Sequence, residues 1–152
     1  MNWLSRNSGA VEAAAGTVTA LTAILAVIGV IAQLRATEAT SRAQTAREAY
    51  AAHLALAVAN PDFAAPVDVC GLLGSAKGDA YQAYLDHLFY AAEQMLAVET
   101  GWEATFDAAL APHAAAICEA DPTGETPELI AVLAGFRSKA CAQAPSCKAA
   151  AP

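Results

Sequence analysis

Hydrophobic positions are spread unevenly along this chain. From Ala13 to Ala32 there are twenty consecutive residues without a charged or strongly polar side chain, and the densest part, Leu21 to Ile31, reads Leu-Thr-Ala-Ile-Leu-Ala-Val-Ile-Gly-Val-Ile. Twenty helical residues extend about 30 Å, the thickness of a bilayer's hydrocarbon core. The stretch holds eight Leu, Ile or Val residues, which together favour insertion by about 2–5 kcal/mol, partly offset by three Thr and two Gly. A core helix of a small domain would not run apolar all round for this length. A cleaved signal peptide carries an apolar region of about 7–15 residues, so the run is too long for that reading, although Val30-Ile31-Ala32 offers small-residue cleavage chemistry. An interfacial helix needs a polar face, which is missing. The pattern therefore predicts a retained single span, with Ala13, Val18, Leu21, Ile24, Leu25, Ile28, Ile31 and Ala32 facing lipid. Trp3 is its expected interfacial anchor and Arg35 closes the far end.

Beyond Arg35 no Pro or Gly occurs before Pro61, and residues 35–59 are dominated by good helix formers. The span is thus expected to continue as one helix from about residue 10 to residue 59, a rod of about 75 Å. Glu38 and Arg42 stand four apart in the favourable order. Ala36, Ala39, Ala43, Ala46, Tyr50, His53 and Ala57 recur at alternating spacings of three and four, and the row continues backwards through Ala32, Gly29 and Leu25. Small residues let helix backbones approach closely. This makes Gly29, Ala36, Ala39, Ala43 and Ala46 a candidate helix-pairing seam, set against the simpler reading of an alanine-rich solvated stalk.

Asn60-Pro61-Asp62 ends the long helix, because the residue before proline is pushed out of the α region. Residues 61–75 read as an ordered loop with room for one helical turn. A helix is predicted over 78–99, with Tyr81, Leu85, Leu88, Ala92, Met95 and Leu96 on its apolar face, widened by Tyr84 and Phe89. The next begins at Thr100-Gly-Trp-Glu103, which fits a capping box, and carries Trp102, Phe106, Ala109, His113 and Ile117 on one stripe. Pro112 should kink or split it. Asp121-Pro122-Thr123-Gly124 reads as a turn. A last helix opens with Thr126 as N-cap and Pro127 at its first position. It runs to about residue 142, with Leu129, Val132, Leu133, Phe136 and Ala140 inward. No useful strand-like alternation appears. The expected fold is all-α: a short tail over residues 1–9, a transmembrane helix over 10–34, a juxtamembrane helix over 35–59, a small bundle of three or four helices over 60–142, and a flexible tail over 143–152.

Composition changes the picture in two ways. The apolar fraction is 57%, above the roughly 45–50% of ordinary soluble domains, but 42 of the 152 residues are alanine, so any run of small residues arises easily. The net charge of -7 is also asymmetric. Residues 60–152 hold twelve acids and four bases, leaving +1 for residues 1–59. An acidic domain repels nucleic acid, so none is expected as a partner. Arg35, Arg42 and Arg47 follow the span, against Arg6 and the α-amine before it. By the positive-inside rule this narrow excess puts the C-terminal domain in the cytoplasm. The even number of cysteines supports the alternative, a periplasmic domain.

Candidate chemistry is sparse. His53, His87 and His113 sit singly on different helices, without the paired spacing of helical metal sites. His113, on the Trp102–Ile117 stripe, reads as a hydrogen-bonded core histidine. Cys70, Cys118, Cys141 and Cys147 form no Cys-x-x-Cys pair. Cys70 and Cys118 read as small buried residues, whereas Cys141 and Cys147 flank a short loop that a disulfide would close in an oxidising compartment. Gly71-Leu-Leu-Gly74 lacks the Lys and Ser/Thr of a phosphate loop. Neither a nucleophile motif nor a paired-carboxylate signature occurs, so no catalysis and no cofactor are expected.

Asn2-Trp3-Leu4 leading into the span, Gln33-Leu34-Arg35 closing it, Tyr50 through Pro61, and the Trp102, His113 and Cys118 spacing are features in which the chain resembles small single-pass bacterial membrane proteins with a C-terminal helical domain. That resemblance covers most of the chain and implies an inner-membrane location without implying an activity. The expected role is a non-enzymatic accessory subunit or scaffold, whose partners are the bilayer and either another membrane protein or further copies of itself. The competing expectation is a ligand-binding or sensing module with a pocket among Tyr81, Tyr84, Phe89, Trp102 and Phe106.

Overall fold

A computed structural model describes residues 8–120 and 126–147. Trp3, Arg6, the expected turn at Asp121–Gly124 and residues 148–152 lie outside the described residues. All regular structure among the described residues is helical. In chain order the elements are α1 (Ser8–Ala59), α2 (Pro61–Ala64), α3 (Val69–Leu73), α4 (Gly78–Leu96), α5 (Glu103–Leu110), a 3₁₀ turn (Ala111–His113), α6 (Ala114–Glu119) and α7 (Pro127–Ala140). By compactness the chain divides into two units, Met1–Ser41 and Arg42–Pro152.

In the first unit α1 is unbroken, as the absence of Pro and the scarcity of Gly require. Its large aliphatic residues, among them Val18, Leu21, Leu25, Ile28 and Leu34, are each at least 45% exposed. Hydroxyls in this apolar stretch are satisfied locally: Thr19 Oγ1 donates to the Ala15 carbonyl at 2.9 Å and Thr22 Oγ1 to the Val18 carbonyl at 2.8 Å. Such bonds let threonine sit in an apolar helix without an open polar group. By length and composition this helix can cross a membrane. Its charged residues from Arg35 onward, among them Glu38, Arg42, Arg47 and Glu48, confine the apolar part to the N-terminal side.

The second unit is a small bundle built around α4. On α1, Ala46 and His53 are buried and Ala43, Tyr50 and Ala57 half-buried, so the three-and-four spacing there is the stripe by which the end of α1 covers its own domain. One core cluster joins Ala46 to Leu88, Ala92 and Met95 of α4, Phe106 and Leu110 of α5, Ile117 of α6, and Leu129, Leu133 and Phe136 of α7. A second joins Val69 of α3 to Tyr81, Tyr84 and Leu85 of α4 and Ala115 of α6. The apolar face read for α4 is buried as its periodicity requires, apart from Leu96 and Phe89, which are half-buried. Gly78 opens α4 where a Cβ would collide with the Leu73 carbonyl oxygen, so the turn between α3 and α4 admits no larger residue.

Thr126 caps α7, its hydroxyl accepting from the Leu129 amide at 3.4 Å, with Pro127 at the first position. Pro112 divides the third predicted helix, and a 3₁₀ turn separates α5 from α6. The capping box at Thr100 does not form. Gly101 takes φ +90, which breaks the helical path, so α5 starts at Glu103 behind Trp102 and has no side-chain cap. The last helix ends at Ala140, and residues 143–147 are not loose: Ser146 Oγ donates to Glu119 at 2.7 Å and Cys147 is covalently tied to α3.

Candidate functional site

The chemistry-bearing side chains of the second unit meet at two places, a buried Tyr–His cluster and a pair of disulfides. Three separate elements supply the cluster. Tyr81, Tyr84 and His87 share one face of α4 because they stand three apart; His53 comes from α1 and His113 from the 3₁₀ turn that Pro112 imposes. The Tyr81 hydroxyl lies 2.8 Å from His113 Nδ1, and the Tyr84 hydroxyl 3.5 Å from His53 Nε2. His53 and His87 stack with ring centroids 5.9 Å apart, and His113 lies 5.8 Å from both tyrosine rings. Phe63 of α2 closes the side at 5.9 Å from Tyr81.

Electrostatics follow from burial. Desolvation, aided by the charge of His53, pushes His113 down to about 4. His53 is lowered by burial first and by His87 second. Tyr81 is pushed up to about 12 by burial and by Tyr84, and burial also raises Tyr84. At neutral pH His53, His113, Tyr81 and Tyr84 are therefore uncharged. His53 Nδ1 and His87 Nδ1 are buried without a hydrogen-bond partner. His113 is the hydrogen-bonded core histidine its position suggested; that His53 and His87 would join it could not be seen from residues 34 apart in sequence. Among the described residues no group of three or more His, Cys, Asp or Glu is placed to hold a metal ion.

All four cysteines are bridged, but not as the sequence suggested. Cys141 pairs with Cys118 and Cys147 with Cys70; the expected Cys141–Cys147 loop does not form, and Cys70 and Cys118 are not free core thiols. Packing of α6 against α7 brings the Cα atoms of Cys118 and Cys141 to 5.5 Å, and the chain after α7 turns back so that Cys147 comes within 5.0 Å of Cys70. Both separations suit a disulfide. Arg137, which no sequence signal singled out, fixes the same joint. Its Nε and Nη2 donate to the Ile117 carbonyl at 3.1 and 2.8 Å, and Nη2 also donates to the Ala120 carbonyl at 2.7 Å. A guanidinium thereby caps the carboxyl end of α6, where carbonyls lack intrahelical partners.

The seam residues separate. Gly29, Ala36 and Ala39 are exposed on the first unit, whereas Ala43 is half-buried and Ala46 fully buried inside the second. The aromatic residues proposed to line one pocket also separate. Tyr81 and Tyr84 belong to one core cluster, Phe106 to the other with Phe89 and Trp102 packed against it. Trp102 and Phe106 surround Tyr50 of α1, at 5.0 and 5.9 Å. A groove of about 390 Å³ lies elsewhere, lined by Leu96, Val132, Glu103 and Glu128 among others.

Comparison with protein-family models, with curated proteins and with solved structures finds no match to this chain.

Proposed function

We propose that this protein is a non-enzymatic, single-pass membrane protein whose helical domain stands on the oxidising side of the membrane, as in a bacterial periplasm, and serves as an accessory subunit or scaffold of a membrane assembly. The observation that carries the reading is the bridging of all four cysteines into two long-range pairs. Cytosolic thiol pools keep such residues reduced, whereas secreted and periplasmic domains retain them. This reverses the orientation favoured by the positive charges around the span, a preference resting on a difference of one charge. The exposed aliphatic surface of the first unit supports the membrane part, since soluble monomers rarely present so large a continuous apolar surface. Gly29, Ala36 and Ala39 are available there for close helix contact with a partner in or near the bilayer.

Alkaline-phosphatase and fluorescent-protein fusions at residue 152 test the side. Phosphatase activity without fluorescence is expected; the opposite pattern would return the domain to the cytoplasm. Extraction in mild detergent tests the role. A stoichiometric membrane partner, or a homo-oligomer, that is lost with Ala36→Leu and Ala39→Leu is expected. Recovery of monomer alone would remove the scaffold reading.

A further inference from the structure

Both disulfides join elements that follow α1: one links α3 to the segment after α7, the other α6 to the end of α7. The end of α1, residues 42–59, therefore lies outside both disulfide-closed loops and is held to the second unit by side-chain contacts. Its contacts are few. Ala46 enters the core, Tyr50 packs against Trp102 and Phe106, His53 meets Tyr84 and His87, and Arg47 makes a 3.8 Å ion pair with Glu99 between two well-exposed side chains. Such exposed pairs add little. His53 is the only polar side chain this stripe buries, and its Nδ1 has no partner.

We propose that the Tyr–His cluster is an acid-sensitive latch, in which protonation of His53 releases residues 42–59 from α4 while the disulfide-linked helices stay folded. The groups that face these rings are themselves tyrosine and histidine rings. Tyr84 and His87 of α4 face His53; His53 and Tyr90 face His87; Tyr81 and Tyr84 face His113. Among the described residues no carboxylate pairs with any of the three histidines, and Asp86, adjacent to His87 on α4, is exposed. A proton arriving at His53 thus meets a buried site with no counter-charge. The lowered affinity of His53 and His113 for protons agrees with this arrangement. The sign follows. Groups kept neutral in the fold bind protons more readily when released, so the latch is closed above the ordinary histidine value of about 6.5 and weakens as pH falls below it. This inference concerns the folded domain and does not depend on its compartment.

Hydrogen exchange of the full-length protein in lipid nanodiscs, corrected for intrinsic exchange rates, tests it. Protection of residues 42–59 is expected to fall at least about tenfold between about pH 7 and pH 5, reversibly, while α4, α6 and α7 keep theirs. Carboxylates are still ionised at the upper part of that range, so a fall beginning near pH 6 points to histidine. His53→Leu should remove most of the response. His53→Gln, which keeps a neutral polar side chain at the same place, should do the same and covers the case in which His53→Leu does not fold. Equal protection at both pH values, simultaneous loss in every helix, or an unchanged response in His53→Leu or His53→Gln would overturn the latch.

Discussion

The Tyr81 hydroxyl stands 2.8 Å from Nδ1 of His113, and both side chains are essentially inaccessible to solvent. The pair joins α4 to the turn before α6, two elements separated by 32 residues. Which atom carries the proton depends on the imidazole tautomer, but either arrangement satisfies two buried polar groups at once. Removing one partner leaves the other buried and unpaired, which costs more than the bond itself contributes. Tyr81→Phe is therefore expected to destabilise the domain by about 1–3 kcal/mol. Chemical denaturation followed by circular dichroism measures this, and an unchanged midpoint would show that His113 finds another partner.

The disulfides have different spans, 77 and 23 residues, and the longer closes the larger loop in the unfolded chain. In the chain-entropy account, removing each is expected to cost about 3–5 kcal/mol, more for Cys70→Ser with Cys147→Ser than for Cys118→Ser with Cys141→Ser. Non-reducing peptide mapping provides the direct check. Linked peptides should contain Cys70 with Cys147 and Cys118 with Cys141, and a Cys141–Cys147 species would contradict the fold after α7.

Arg137 binds two carbonyl oxygens at the end of α6 with a fork that lysine cannot reproduce. Arg137→Met is expected to lower stability by about 1–3 kcal/mol, and Arg137→Lys to recover only part of the loss. Thermal unfolding of the three proteins side by side would decide this; full rescue by lysine would mean that charge alone matters.

Ala39 and Ala46 lie on the same sequence stripe but in different settings. Ala46→Leu pushes a larger side chain into a filled core and is expected to cost about 1–3 kcal/mol. Ala39→Leu, at an exposed position, should change stability by less than about 0.5 kcal/mol. It should instead weaken association with a membrane partner. Equal destabilisation by both would mean that Ala39 is also packed within its own chain.

Much of the fold was written locally. The unbroken helix from Ser8 to Ala59 follows from a stretch without proline and rich in helix formers. The start of α7 follows from Thr126-Pro127, and the break between α5 and α6 from Pro112. These signals act through backbone torsions and hydrogen bonds within one turn, so neighbouring residues suffice to read them. Thr100 shows where even local reading fails: the Thr and Glu spacing was right, but Gly101 between them adopts a positive φ that no capping box accommodates.

By itself the sequence determined that the chain is helical, that its apolar excess lies at Ala13–Ala32, and that the acidic charge belongs to the region after residue 59, because periodicity and charge are properties of neighbouring positions. Only the tertiary structure decided that Ala46 and His53 cover their own domain, that three solitary histidines and two tyrosines meet in one cluster, and that Cys141 passes over nearby Cys147 for Cys118, 23 residues away, while Cys147 pairs with Cys70, 77 residues away. The physical reason is the same in each case. These pairings depend on which helix faces become adjacent when α1, α4, α6 and α7 bury their apolar stripes together, and no single stripe specifies its partner.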